Sequence, residues 1–92
     1  MKIDLPDVNW RALNMTAPGQ LKKIFEEAGE VAEAVAQGDT LCTIREALDT
    51  IQTNMTLIDI TLDEFPGMKL DKFIEEHVEK LERKGYLKED DR

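Results

Sequence analysis

From Leu41 to Leu62 the apolar residues return every three or four positions without a break: Leu41, Ile44, Leu48, Ile51, Met55, Ile58 and Leu62. A strand turns successive side chains to opposite faces, so it cannot present this pattern; an α-helix packing in the manner of a coiled coil can. The spacing therefore predicts a helix over about residues 40–62. A second stripe, Leu21, Ile24, Phe25, Ala28, Val31, Ala32 and Val35, predicts a helix over about 18–37. A third, Leu70, Phe73, Ile74, Val78 and Leu81, predicts one over about 68–84. The punctuation agrees. Pro18 suits a first helical turn, Gly38 suits the left-handed residue after a helix, and Asp39 or Thr40 suits the next cap. Asp63 to Gly67 is a break, and Gly85 ends the last helix. Residues 7–14 form a short helix or turn anchored by Val8, Trp10 and Leu13. Strand signals are absent. The expected fold is all-α: three long helices plus a short N-terminal one, a four-helix bundle completed by oligomerisation.

Ninety-two residues make one domain, 1–92, with an N-terminal segment over 1–16 and a frayed acidic tail over 86–92 that holds Glu89, Asp90 and Asp91. The net charge of −8 disfavours a nucleic-acid polymer as partner, because that binding rests on Lys and Arg. It leaves room for a small phosphorylated ligand, since a bound metal ion inverts local charge. No apolar run reaches the ~18 residues of a membrane span, and residues 1–9 lack a signal-peptide core. One cysteine, Cys42, cannot pair within the chain, so a cytoplasmic setting is expected. With no Cys or His partner at ligand spacing, Cys42 reads as a buried small residue.

Two carboxylate groups stand out, Glu26-Glu27-Ala28-Gly29-Glu30 on the first long helix and Glu46-Ala47-Leu48-Asp49 on the second. Positions three apart share one side of a helix, so Glu27 points with Glu30, and Glu46 with Asp49. If the two helices pack antiparallel, four carboxylates meet. Their mutual repulsion calls for a cation, and oxygen ligands suit a hard divalent ion such as Mg²⁺. The bland reading of a Glu-rich helix is a solvated face; the second motif on the very next helix argues against it.

At 100° per residue, Glu46 and Asp49 lie well away from the Leu41–Leu62 seam and share their side with Thr53, Thr56, Leu57 and Ile60. The middle helix thus has two faces to bury. A chain this short has few elements to cover both, so a homodimer or homotetramer is expected.

The pattern E-E-x-x-E, a gap, then E-x-x-D, as Glu26, Glu27, Glu30, Glu46 and Asp49, resembles the all-α nucleoside triphosphate pyrophosphohydrolases, and within them the MazG-like proteins best. The resemblance covers about residues 18–85. It implies Glu27, Glu30, Glu46 and Asp49 as Mg²⁺ ligands, with Mn²⁺ as a substitute, and Glu26 orienting or deprotonating the attacking water. Glu30 then counts among the catalytic residues as well. The implied reaction is hydrolysis of a nucleoside triphosphate to the monophosphate and pyrophosphate, in housecleaning or nucleotide-pool control. The resemblance also implies phosphate contacts from the last helix, where Lys80 and Arg83 stand three apart, with Lys84 beside them. Gln20, Lys23 and Asn54 are further candidates for substrate contact. The chain lacks the longer insertions of the dimeric dUTPases, and phosphoribosyl-ATP pyrophosphatases match poorly outside the acids.

Each of these has a plainer reading. Lys80, Arg83 and Lys84 could serve only to solvate a helix end and its dipole. His77, on the inward stripe, reads as a boundary histidine, and Trp10 as an anchor for the N-terminal segment rather than a base-stacking residue. The rival to an enzyme is a non-catalytic helical interaction module, with the heptad seam as its working surface. A di-iron bundle is disfavoured, because no Glu-x-x-His pair occurs.

Overall fold

In a computed structural model that describes residues 1–88, three helices follow one another: α1 over Ala17–Ala36, α2 over Thr40–Asp63 and α3 over Leu70–Arg83. There is no strand among the described residues, and no helix is long and apolar enough to cross a membrane. The acidic tail at 89–91 lies outside the described residues.

Local chemistry sets the boundaries. Thr16 caps α1 by accepting from the Gly19 N–H at 3.2 Å, with Pro18 in the first turn. Gly38, at φ 69°, turns the chain, and the Asp39 carboxylate accepts from the Cys42 N–H at 3.0 Å to start α2. Hydrogen bonding to that N–H holds the Asp39 pKa below its ordinary value. The hydrogen bond to Asp39, then its charge, pushes the half-buried Cys42 thiol up, which disfavours the reactive thiolate. Gly85, also at φ 69°, follows the end of α3.

With only residues 37–39 between them, α1 and α2 pack side by side as an antiparallel hairpin. Their shared face is unusually polar. Its buried residues are Gln20, Glu27 and Ala34 from α1, and Thr53, Thr56 and Ile60 from α2. The threonines fit because their hydroxyls donate to their own helix: Thr53 to the Asp49 carbonyl at 3.0 Å, Thr56 to Gln52 at 2.9 Å. Of the two faces expected on α2, the one bearing acids and threonines is the inner one. The seam is left on the other side, with Leu41, Ile44 and Ile58 exposed and Leu48, Ile51, Met55 and Leu62 half-buried, its late half facing Pro6 and Val8 of the N-terminal segment across a small cavity.

Two expectations are corrected. Residues 7–14 form no helix. The Met15 N–H bonds the Trp10 carbonyl at 2.9 Å, and Asn14 then takes a left-handed φ of 53°, which stops propagation after a turn. The segment is instead strapped to α2. Gln52 donates to the Pro6 carbonyl at 2.7 Å, Trp10 Nε1 donates to Asp59 at 3.0 Å, and Arg11 pairs with Asp63. The Arg11 guanidinium lies 4.5 Å from the centre of the Trp10 ring. Trp10 is thus the anchor that its position suggested.

The second correction concerns α3, whose apolar stripe is not inward. The helix makes no extended contact with α1 or α2, only its first residue, Leu70, lining a cavity with Ile58 and Leu62 of α2, and it buries no residue. His77 is exposed, as are Leu70, Phe73, Ile74 and Val78, while Leu81 is half-buried. The chain is accordingly flat and open, 44 × 40 × 20 Å, with a radius of gyration of 15.5 Å. A compact domain of this length would have about 12 Å.

Candidate metal centre

The hairpin places the acids by simple counting. Glu30 stands six residues before the end of α1, and Glu46 six after the start of α2; Glu27 and Asp49 each stand nine away. In an antiparallel pair, residues equally far from the turn lie level. Glu30 therefore sits across from Glu46, and Glu27 across from Asp49.

Burial divides the four. Glu27 is inside, only 7% exposed, and its Oε1 has no hydrogen-bond partner. Glu46 is half-buried, and its Oε2 is likewise buried and unpartnered. These are the only such side-chain atoms among the described residues. Glu30 and Asp49 are exposed at the edge, and Glu26 lies farther round α1, also exposed. The Glu46 pKa is raised, first by a hydrogen bond with Glu30, then by burial, then by the charges of Glu30, Asp49 and Glu27. Glu46 therefore feels the other three carboxylates, which favours its protonated form in the absence of a cation.

No three of these side chains are drawn in closely enough to enclose an ion among the described residues. The donor set is nonetheless all oxygen and anionic, as Mg²⁺ requires, and an orphaned buried carboxylate oxygen costs free energy until it gains a cation or a proton. Thr50 and Thr53 support the α2 half of the cluster. Their hydroxyls donate to the carbonyls of Glu46 and Asp49 at 2.8 and 3.0 Å. The sequence reading gave these threonines no role, although their spacing of four from each acid is visible.

The remaining candidates scatter. Gln20, buried at 5% exposure, lies on the same face as Glu27, two turns earlier. Lys23 is exposed on the turn before Glu27. Asn54 is turned outward, and its side-chain amide donates to the Thr50 carbonyl at 2.9 Å. Lys80 and Arg83 project from the last turn of α3, away from the hairpin within one chain. Lys84 caps that helix, its Nζ 5.8 Å from the centre of the Tyr86 ring.

No protein-family model matches this chain, and no curated protein or solved structure is significantly similar to it.

Proposed function

We propose that the chain is a Mg²⁺-dependent nucleotide pyrophosphohydrolase of the MazG-like kind, cleaving a nucleoside triphosphate to the monophosphate and pyrophosphate. The observation that carries this reading is the pair of orphaned carboxylate oxygens, Glu27 Oε1 and Glu46 Oε2, with Glu46 pressed by the charges of Glu30, Asp49 and Glu27. A purely structural hairpin gains nothing from such a feature, and replacing it with apolar residues would cost less.

Glu27, Glu30, Glu46 and Asp49 would hold the metal. When bound, Mg²⁺ supplies charge neutralisation at the phosphate oxygens and a more acidic water. Glu27 and Glu46 provide the fixed part of the shell, because their burial limits their rotamers. Glu30 and Asp49, at the exposed rim, open toward solvent, from which the nucleotide would arrive. Glu26, exposed next to Glu27, accepts the proton of the attacking water as the bond to the leaving pyrophosphate breaks. Lys23 on the neighbouring turn, together with Lys80 and Arg83, would bind phosphate oxygens, and Gln20 would contact the substrate.

The test is pyrophosphate release from a panel of ribo- and deoxynucleoside triphosphates, with Mg²⁺ and with EDTA. Metal-dependent release supports the reading. No release from any of them favours the alternative of a non-catalytic interaction module, which the outward apolar faces of the chain would suit.

A further inference from the structure

The N-terminal segment is pinned above α2 rather than pressed onto it. Gln52 holds the Pro6 carbonyl at 2.7 Å and Asp59 holds Trp10 Nε1 at 3.0 Å. These polar bonds fix the height of the segment, and a cavity of about 150 Å³ remains beneath it. Its wall is apolar: Pro6 and Val8 above, Met55, Ile58 and Leu62 of α2 below, and Leu70 beside them. An apolar cavity of this size suits one aromatic ring better than it suits water, because water finds too few hydrogen-bond partners there and a ring restores dispersion contacts.

The polar part of the lining adds a sign. Asp7 and Asp59 are the charged residues that line the cavity, and no basic residue does. Both are exposed, so they mark its mouth. Asp59 spends only Oδ2 on Trp10. Asp7 makes no ion pair or side-chain hydrogen bond among the described residues, and Arg11 is already paired with Asp63. A neutral or anionic ring would match the size of this space but not its charge. A metal or ammonium ion would match the charge and waste the apolar wall. A helix of a second copy, about 10 Å across, is far too wide for it.

We propose that the cavity between the N-terminal segment and the late half of α2 binds a small organic monocation with a single-ring apolar body, of the arylalkylammonium or amidinium class. The ring lies between Val8, Met55 and Leu62, and the charged end lies against Asp7 and Asp59. The site is on the seam side of α2, away from the carboxylate cluster on the inner face, and it stands whether or not that cluster turns over nucleotides.

The test is a methyl and amide NMR titration of the full chain at millimolar benzylammonium, with benzyl alcohol as the uncharged ring and ammonium as the charge without a ring. Benzylammonium should give saturable shifts at Val8, Met55, Ile58 and Leu62. Benzyl alcohol should bind more weakly, and ammonium should leave these methyls unmoved. Asp7→Asn should weaken benzylammonium about two- to fivefold, the scale of one exposed ion pair. Val8→Trp, which fills the space from the segment's own side, should abolish the shifts at Met55 and Leu62. Absence of saturable shifts at these methyls overturns the site, including the case in which light scattering shows that a second copy covers it. Shifts centred instead on Glu27 and Glu46 overturn it too, since the cation then chooses the other acids. Equal affinity for the alcohol overturns the role of charge. If Val8→Trp disturbs the segment itself, Asp7→Asn decides, and an unchanged affinity there overturns the proposal.

Discussion

Replacing Glu27 by Gln should move stability in opposite directions with and without Mg²⁺. Glu27 is 7% exposed and its Oε1 has no partner, while Oε2 of Glu46 across the hairpin is also orphaned. In metal-free buffer the wild type carries both penalties. An unsatisfied buried polar group costs about 1–3 kcal/mol. Glutamine keeps the shape, removes the charge and adds an N–H₂ that can donate to a neighbouring carboxylate. The expected gain is about 1–3 kcal/mol, which for a domain of this size raises the melting temperature by roughly 4 °C or more. With Mg²⁺ at a hundred times its Kd, the wild type gains about 2.7 kcal/mol from binding, whereas the variant has lost a ligand and gains far less. The order of stability then reverses. The assay is thermal unfolding by circular dichroism at one fixed protein concentration, in EDTA and across a Mg²⁺ titration. A variant less stable than wild type in EDTA would mean that Glu27 is satisfied as it stands. Equal Mg²⁺ responses in the two proteins would remove Glu27 from the metal shell.

Glu30→Gln and Asp49→Asn should each abolish pyrophosphate release while the circular dichroism spectrum is kept, since both residues are exposed; full turnover in either variant would exclude it as a ligand. Lys80→Ala and Arg83→Ala should raise KM or lower kcat by about tenfold or more, the loss of a charge-assisted contact, with the Mg²⁺ midpoint unchanged; wild-type kinetics in both would leave that helix end as solvation. In metal-free buffer, the raised Glu46 pKa means that the folded state binds the proton more tightly. Its contribution is therefore full below the ordinary glutamate value of 4.5 and is lost as pH rises through the higher folded value. Stability should fall with rising pH in that window, and Glu46→Gln should flatten the slope; an unchanged slope in the variant assigns it elsewhere. Asp39 acts in the opposite sense and in a separate window. Its lowered pKa stabilises above the ordinary value of 3.8 and fails as pH drops through the folded one, so Asp39→Asn should lose only the acid-side decline.

The sequence by itself determined the helices and the identity of the acids. Period and capping are local properties, readable at Thr16, Gly38 and Asp39, and the structure puts the ends of α1 and α2 within a residue of where the pattern does. The pairing of Glu27 with Glu30 and of Glu46 with Asp49 follows from helical spacing, and their meeting across the hairpin from equal distances to one turn. The tertiary structure alone decided which side of α2 is inside. By pattern the seam is the more apolar face, yet the threonines and Glu46 pack on α1, because hydroxyls satisfied by their own helix can be buried at little cost, and the seam is covered only in part, by the N-terminal segment. It also decided that Glu27 is enclosed while Glu30 and Asp49 stay at the rim, a matter of how deeply each turn sits in the contact rather than of spacing. Residues 7–14 read equally well as helix or turn until Trp10 and Arg11 find Asp59 and Asp63, partners some fifty positions away. The stripe of α3 announces an apolar face but not its neighbour, since periodicity records that a surface must be covered and carries no information about which chain covers it.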